Sequence, residues 1–349
     1  MTQARTLGSV SHATARRRRL VDIKERARYW TQHIAADLAA IAGARIAASC
    51  DLLRGNPEAA LLRYGRTIRY AQTARESLAT YALVERLIRR HPLELSGYQA
   101  VPIQPERFLF FIGHSRSGHS LVAALLDAHP DIIVSHELHA LKHFEHGAAF
   151  ADVARAIQYN SRFFEHFGRG YSGYSYDVAT QHQGRSPAPR IIGDKKANGT
   201  GRILRRDLAV VERLRAHLPV PFTFVHVVRN PFDNIASRAR RTNTSLDWAA
   251  RGYFTNARVI DQLYRRWPDN IIPIYLDDLI ANPKGTLATL LRTLGVRRID
   301  EQYLGDCAQI VFQEPAQPRY SVTWTAELRR SVDALIRDCS FLQRFAEEL

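Results

Sequence analysis

The sequence predicts an α/β protein, in which a parallel sheet with helices on both faces is preceded by an all-α N-terminal extension. From Arg107 onward, short apolar runs alternate with segments of helical periodicity, which is the pattern of a parallel sheet with crossover helices. Polar residues cluster directly after several of these runs, where ligands bind in such folds. Before residue 100, a region rich in Ala, Leu, Ile and Arg predicts the helical extension.

The chain divides into three predicted parts. Residues 1–18 are polar and basic and predict a disordered tail. Residues 19–100 predict two or three helices, which break at Gly55-Asn56-Pro57 and end at His91-Pro92. Three roles stay open for this extension: packing, binding of a partner, or dimerisation that would give a homo-oligomer. Residues 104–349 predict the α/β domain.

The domain begins with a predicted strand over Phe108–Ile112, a tight polar loop over Gly113–Ser120 and a helix over Leu121–Ala128. A second short strand is predicted at Ile132–Val134. This order points backbone N–H groups and a helix N-terminus at an anion.

The loop has the spacing of a phosphate-binding loop. Gly113, Gly118 and Ser120 fit G-x-x-x-x-G-K-[ST], but His119 replaces the Lys and the fixed cation is Arg116. The loop therefore predicts binding of a phosphate-like group outside the nucleotide triphosphatase pattern. A plain Gly/Ser turn is the alternative.

The alternation continues to the end of the chain. His139–Phe167 predicts a helical segment, and Arg169–Arg190, rich in Tyr, Gly, Ser and Gln, predicts a functional loop. Further strands are predicted at Ile191–Ile192, Pro221–Val228 and Ile271–Leu276, and helices at Arg202–Leu218, Phe232–Arg241 and Pro283–Leu294.

Composition bounds the function more loosely. The 349 residues carry a net charge of +15, which favours anionic partners, although solubility explains such a charge equally well.

The three cysteines, Cys50, Cys307 and Cys339, are scattered, without metal spacing or a disulfide framework, and suit a reducing compartment. Charged residues interrupt the apolar runs near the N-terminus, so we expect no signal peptide or membrane span. We expect a cytoplasmic, bacterial protein.

A second phosphate-binding segment is suggested by Arg229 and Ser237. Arg229 ends the strand Pro221–Val228, Pro231 makes a turn, and Ser237 lies in the helix that follows. Two donors so placed can converge on a phosphate away from the first loop. Taken alone, the pair is better explained as an Arg at the sheet edge and an exposed Ser. Two phosphate sites on one parallel sheet favour the functional interpretation.

Together the two segments resemble the sulfotransferase family, which uses 3′-phosphoadenosine 5′-phosphosulfate (PAPS). Arg116-Ser117-Gly118 is similar to that family's 5′-phosphosulfate loop, and Val227–Ser237, VVRNPFDNIAS, is similar to its 3′-phosphate segment. The resemblance runs from Arg107 to the C-terminus. His119 stands where the family usually has Thr, and Asp194-Lys195-Lys196 lacks the Pro often found after the Lys, which leaves the acceptor class open.

The resemblance implies PAPS as co-substrate and implies a set of residues that bind it. Arg319, which precedes Trp324, would close over the nucleotide. No metal is expected, because PAPS lacks a γ-phosphate and no acidic residue ends the strand Phe222 to Val228. The predicted nucleotide-binding residues are Gly113, His114, Ser115, Arg116, Ser117, Gly118, His119, Ser120, Arg229, Ser237 and Arg319.

Glu137 is the candidate general base. It follows the strand Ile132–Val134, and parallel neighbouring strands would bring it to the edge that carries the loop. The resemblance implies the same role, since several sulfotransferase branches use a Glu there. His119 and His136 are rivals, because an imidazole near its ordinary pKa is a competent base.

Cations would complete the catalytic set. Arg116 would stabilise the leaving phosphate, and Lys195 would contact the transferring sulfuryl group, with Lys196 as a second choice.

Three functions remain open from the sequence: a PAPS-dependent sulfotransferase, an ATP-dependent kinase with an altered loop, and a non-catalytic binder of acidic polymers. His119 and the absence of a metal-holding Asp disfavour the kinase. The expected partners are the nucleotide and a hydroxylated acceptor, not nucleic acid. The loop Arg169–Arg190 favours a carbohydrate or other hydroxylated metabolite as acceptor, while a protein tyrosine or a lipid stays open.

Overall fold

The computed structural model describes residue 54 and residues 103–167, 176–178, 180–186 and 188–348. The predicted tail, the predicted helical extension and part of the segment 169–190 lie outside these residues. A sheet of five parallel strands forms the centre of the described part, in the order β2-β3-β1-β4-β5. The strands are β1 (Arg107–Ile112), β2 (Ile132–His136), β3 (Ile191–Lys195), β4 (Phe222–Val228) and β5 (Ile271–Tyr275).

Helices connect the strands and continue to the C-terminus, with short 3₁₀ turns at Pro268–Asn270, Pro318–Ser321 and Ser340–Phe345. The helices are α1 (His119–Asp127), α2 (Ala140–Glu145), α3 (Phe150–Phe167), α4 (Ala197–Arg206), α5 (Val210–His217), α6 (Pro231–Thr242), α7 (Leu246–Arg266), α8 (Leu276–Ala281), α9 (Pro283–Thr293), α10 (Glu301–Gln309) and α11 (Ala326–Arg337).

The predicted parallel sheet with helices on both faces is confirmed. Side chains alternate between the two faces of a strand, and those of β1 divide accordingly between two apolar clusters. Phe108 and Phe110 belong to the cluster that contains Tyr253 of α7. Leu109 and Phe111 belong to the cluster that contains residues of α1 and α9. The sheet is therefore buried on both faces, as its near-continuous apolar strands require.

The structure differs from the prediction in the length of two strands, in one helix and in the order of the strands. β2 and β3 run on through polar residues, because Ser135 pairs with Asp194 and His136 with Lys195 in register. The helix predicted over Arg202–Leu218 is two helices, α4 and α5, since Asp207 between them is extended. β1 and β2 are not neighbours, because β3 lies between them.

All five strands nevertheless end at one edge of the sheet, because every pair is parallel. The residues that follow β1, β2, β3 and β4 therefore meet there. They are the loop from Gly113 to Gly118, Glu137, Lys196 and Arg229.

Candidate active site

The loop after β1 has a backbone conformation that requires glycine at two positions. Gly113 and Gly118 have positive φ angles of 129° and 94°, and Arg116 between them has φ 75°. A Cβ atom at Gly113 would lie 2.8 Å from His119 Nε2, and one at Gly118 would lie 2.8 Å from a methyl group of Leu276. Helix α1 begins directly after Gly118 without a side-chain cap. Its first N–H groups therefore remain available to an anion.

Arg116 joins this loop to the segment after β4. Its Nε donates a hydrogen bond to Ser237 Oγ at 3.3 Å. Arg229 Nη1 donates to the Arg116 carbonyl oxygen at 2.9 Å, and Arg229 Nη2 donates to the Ala316 carbonyl oxygen. The two segments that the sequence suggested as phosphate sites are thus in direct contact.

Asn234 lies on α6, the helix that also contains Ser237, and holds the loop after β1 by hydrogen bonds. Its Nδ2 donates to the Ser115 carbonyl oxygen at 3.1 Å and to Ser117 Oγ at 2.8 Å. Ser117 is buried, so its hydroxyl shapes the loop, while Ser115 is exposed at the loop surface. Helix α6 thereby fixes the path of the chain between β1 and α1.

The two loop histidines are buried and neutral. His114 stacks on the Tyr253 ring at 3.7 Å, and burial lowers the pKa of His114 to about 3. His119 Nε2 lies 2.9 Å from the Ile112 carbonyl oxygen, and burial lowers the pKa of His119 to about 4. Since Nε2 faces a carbonyl oxygen, it carries the proton of the neutral ring. An imidazole of such low pKa is a weak base at neutral pH.

Glu137 bridges two lysines at the ends of β2 and β3. Its Oε1 lies 2.8 Å from Lys195 Nζ, and its Oε2 pairs with Lys196 Nζ. Burial alone would raise the pKa of Glu137, but the two ammonium groups hold it well below the ordinary value. Glu137 is therefore a carboxylate at neutral pH. Lys195 Nζ also lies 3.4 Å from Nε2 of the buried His136.

Asp194 holds the turn that presents Glu137. Both Glu137 and His139 have positive φ angles, 66° and 70°. The Asp194 carboxylate accepts hydrogen bonds from Leu138 N at 3.0 Å, Ala140 N at 2.9 Å and Ser135 Oγ at 2.9 Å. Burial raises the pKa of Asp194 to about 6. This network stabilises a backbone conformation that residues other than Gly rarely adopt.

These residues line a cleft of about 560 Å³ at the carboxyl edge of the sheet. Its polar lining includes Ser115, Ser120 and His119 from the loop and α1. Among the described residues, the charged lining comprises six cations and two carboxylates: Arg116, Lys195, Lys196, Arg202, Arg229, Arg241, Glu137 and Glu314. An anionic ligand therefore meets a strongly positive surface.

Some predicted residues lie outside the lining. The side chain of Arg319 is turned to α6, where Nη1 pairs with Asp233 Oδ2 at 2.7 Å and the backbone N donates to Asp233 Oδ1 at 3.0 Å. Gly113, His114 and Ser117 belong to the loop but do not line the cleft. Ser237 does not line it either, but it accepts a hydrogen bond from Arg116, which does.

The structure adds residues that the sequence did not single out. Asn234 and Arg241 lie on α6, three residues before and four residues after Ser237. Helical spacing from Ser237 could have pointed to Arg241, because residues four apart share a face. Arg202 lies in the second turn of α4 and lines the cleft. No sequence pattern pointed to it, because the predicted helix starts at Arg202 and not at Ala197.

The chain belongs to the sulfotransferase family: the sequence model described as "Sulfotransferase family" matches residues 109–301, more than half of the chain. The predicted family resemblance is thereby confirmed. No curated protein matches the sequence.

Solved sulfotransferase structures resemble the chain at low identity. The sulfotransferase domain from the Synechococcus PCC 7002 olefin synthase is 18% identical, covers 68% of this chain and 96% of its own, and gives a TM-score of 0.42. Mouse sulfotransferase SULT7A1, complexed with PAP, is 15% identical over 68% of this chain and 85% of its own, with a TM-score of 0.37. Sulfotransferase STF9 from Mycobacterium avium is 12% identical over 80% and 91%, with a TM-score of 0.39.

Two features are absent from the described residues. No cluster of three or more His, Cys, Asp or Glu side chains with the arrangement of a metal site occurs among them. None of the helices in the part of the chain that the structure describes has the length and apolar character needed to cross a membrane.

Proposed function

We propose that the protein transfers a sulfuryl group from PAPS to a hydroxyl group of a carbohydrate or other hydroxylated metabolite, in the bacterial cytoplasm. One observation carries the proposal: Arg116 Nε and Ser237 Oγ lie 3.3 Å apart, so the loop after β1 and the segment after β4 form one continuous surface. PAPS carries a phosphosulfate on the 5′-oxygen and a phosphate on the 3′-oxygen of its ribose. A ligand of this kind needs two adjacent anion sites.

The residues of the cleft fit such a ligand. Arg229 is only 9% exposed, and no described acceptor lies within hydrogen-bond distance of its buried Nε. A buried guanidinium N–H without a partner favours an anion as ligand, because an unsatisfied buried donor costs about 1–3 kcal/mol. The cleft volume of about 560 Å³ lies within the range usual for ligand pockets, roughly 300–1,000 Å³.

Bound PAPS would supply the sulfuryl group, already activated by its bond to the 5′-phosphate. Glu137 would then take the proton of the acceptor hydroxyl as the acceptor oxygen bonds to sulfur. Arg116 and the N–H groups at the start of α1 would hold the charge that develops on the leaving 5′-phosphate as the sulfur–oxygen bond breaks. The carboxylate form of Glu137 at neutral pH supports its role as proton acceptor.

Lys195 would interact both with Glu137, the proposed base, and with the sulfuryl group. Its buried Nζ lies 2.8 Å from Glu137 Oε1, and burial lowers the pKa of Lys195. If Lys195 turns to the sulfuryl oxygens, Glu137 loses one neighbouring cation and its pKa rises. Glu137 thereby becomes a stronger base at the stage when the acceptor proton must leave.

The test is transfer of ³⁵S from labelled PAPS to a panel of hydroxylated compounds in EDTA, run beside the same panel with γ-³²P-labelled ATP in Mg²⁺ and in EDTA. The panel contains mono- and oligosaccharides, a tyrosine peptide and a hydroxylated lipid. We expect ³⁵S transfer to a saccharide and no ³²P transfer. Transfer from ATP that requires Mg²⁺ would show a kinase, and PAP binding without transfer to any acceptor would show a non-catalytic binder. Transfer only to the peptide or the lipid would overturn the acceptor class.

A further inference from the structure

Positive charge exceeds negative charge on the side of the cleft formed by β2 and β3. Glu137 follows β2, Lys195 and Lys196 follow or end β3, and Arg202 lies in α4, which comes next. The described residues on this side of the cleft therefore include three cations and one carboxylate. Glu314, the other acid of the cleft, belongs to the chain segment near Ala316, which contacts Arg229 at the end of β4.

Within the part of the chain that the structure describes, Arg202 has no acidic side chain paired with it. Its side chain is exposed to the cleft, and among the described residues no carboxylate oxygen lies within 4.0 Å of its guanidinium group. The first turn of α4 contains no acidic residue, and the helix has no side-chain cap. Lys196, by contrast, is paired with Glu137.

Arg202 and neighbouring cations act electrostatically on the turn that contains Glu137, the candidate base. The imidazole of His139, two residues after Glu137, has a pKa lowered to about 3 by burial and by the charges of Lys196, Lys142 and Arg202. Three cations thus lie close to the Glu137–His139 turn. The order of the strands separates them from Arg229, because β1 and β3 stand between β4 and β2.

The proposed function gives Arg202 no part in binding the nucleotide. There, the two phosphate groups of the nucleotide are held by the loop after β1 and by the segment after β4. The acceptor must approach Glu137, which lies at the end of β2 and therefore on the side of Arg202. A cation that faces an open cleft without a carboxylate favours an anionic ligand at that point.

We propose that the acceptor carries an anionic group, a carboxylate, sulfate or phosphate, near the hydroxyl that is sulfated, and that Arg202 binds this group with help from Lys196. This inference rests on the proposed function and specifies its substrate class. Arg202 is thereby a specificity-determining residue for the acceptor.

The experiment compares matched acceptors that differ in one anionic group. With labelled PAPS, kcat and KM are measured for p-nitrophenyl β-D-glucoside, p-nitrophenyl β-D-glucuronide, and the 6-sulfate and 6-phosphate of the glucoside. We expect at least one anionic member to exceed the neutral glucoside by about tenfold or more in kcat/KM, as a charge-assisted pair provides. The preferred member identifies the anion as carboxylate, sulfate or phosphate.

Variants then assign the preference to Arg202. Arg202→Ala should raise KM for the preferred anionic acceptor about tenfold to a hundredfold and change its kcat little. Arg202→Lys should restore part of the loss. The matched control is Arg205→Ala, an exposed arginine on the same helix that does not line the cleft. It should leave KM unchanged.

Failure of the anionic-acceptor inference and failure of the proposed function would give different results. Equal or better use of the neutral glucoside, or a preference for the anion that survives in Arg202→Ala, overturns the inference on the acceptor. PAP affinity, measured by calorimetry, should be the same in the wild type, Arg202→Ala and Arg205→Ala. Failure of the wild-type protein to bind PAP would instead overturn the proposed function.

Discussion

Arg229 donates a hydrogen bond from Nη1 to the carbonyl oxygen of Arg116 at 2.9 Å, although 113 positions separate the two residues in the chain. The bond ties the carboxyl end of β4 to the loop after β1. Arg116 in turn contacts Ser237. Three residues from two distant segments therefore form one unit at the edge of the sheet, and substitutions within it should act on the same ligand.

Arg229→Ala and Ser237→Ala should each weaken PAPS and PAP binding, with the larger loss for Arg229. A charge-assisted hydrogen bond to a dianionic phosphate is worth about 1.5–3 kcal/mol, and Arg229 also fixes the loop through Arg116. Calorimetric titration with PAP measures the loss. The control ligand is adenosine 5′-phosphosulfate, which lacks the 3′-phosphate. Equal losses for both nucleotides would mean that the pair supports the loop and does not bind the 3′-phosphate.

The apolar pattern was enough to predict the sheet, and the reason is visible in β4. Its seven residues are buried on both faces of a parallel sheet, so they form an almost uninterrupted apolar run. β2 and β3 were predicted too short, since their last residues are polar. Ser135 and Asp194 satisfy each other by a hydrogen bond at 2.9 Å, a pairing that depends on strand register and leaves no trace in local hydrophobicity.

The ligand-facing ends of the strands were also predictable, because chain order and parallel strands suffice to bring them together. The contacts that support the site were not. No element was predicted over α7, yet its Tyr253 packs under the loop against His114, 139 positions away. Arg202 was missed for a similar reason: its place in the cleft depends on where α4 starts.

Glu137→Gln should lower turnover by about 10²–10⁴-fold, the usual contribution of a general base, and should change PAP affinity little. The amide keeps the shape of the side chain but cannot take a proton. His119→Ala and His136→Ala, compared in the same assay, should cost less. Full turnover in Glu137→Gln together with loss in either histidine variant would assign the base to that histidine.

The pH dependence of kcat/KM offers a separate test of the base. Lys195 and Lys196 hold the pKa of Glu137 well below its ordinary value despite burial, so Glu137 stays ionised as the pH falls through the histidine range. We expect no loss of kcat/KM near pH 6.5, where a histidine base of ordinary pKa would become protonated. Lys196→Gln removes one stabilising cation, raises the pKa of Glu137 and should shift the acid limb to higher pH. An acid limb that does not move in this variant would contradict the assignment.

Asp194→Ala should lower the free energy of unfolding by about 2–4 kcal/mol, because three hydrogen bonds to a buried carboxylate are lost at about 1 kcal/mol each. Urea unfolding followed by circular dichroism measures the change. Asp269→Ala, at an exposed position, is the control and should stay within about 0.5 kcal/mol of the wild type. Equal stability of both variants would show that Asp194 does not hold the turn before α2.

We expect the cleft to bind a 3′-phosphorylated adenine nucleotide more tightly than a nucleoside triphosphate. Thermal unfolding of the purified protein, with PAP or with ATP and Mg²⁺ at equal concentration, tests it most directly. A ligand at about 100 times its Kd stabilises by about 2.7 kcal/mol, which corresponds to a rise in Tm of roughly 5–10 °C for a domain of this size. We predict this rise with PAP and a smaller one with ATP. A rise with ATP and Mg²⁺ that equals or exceeds the rise with PAP would contradict this expectation.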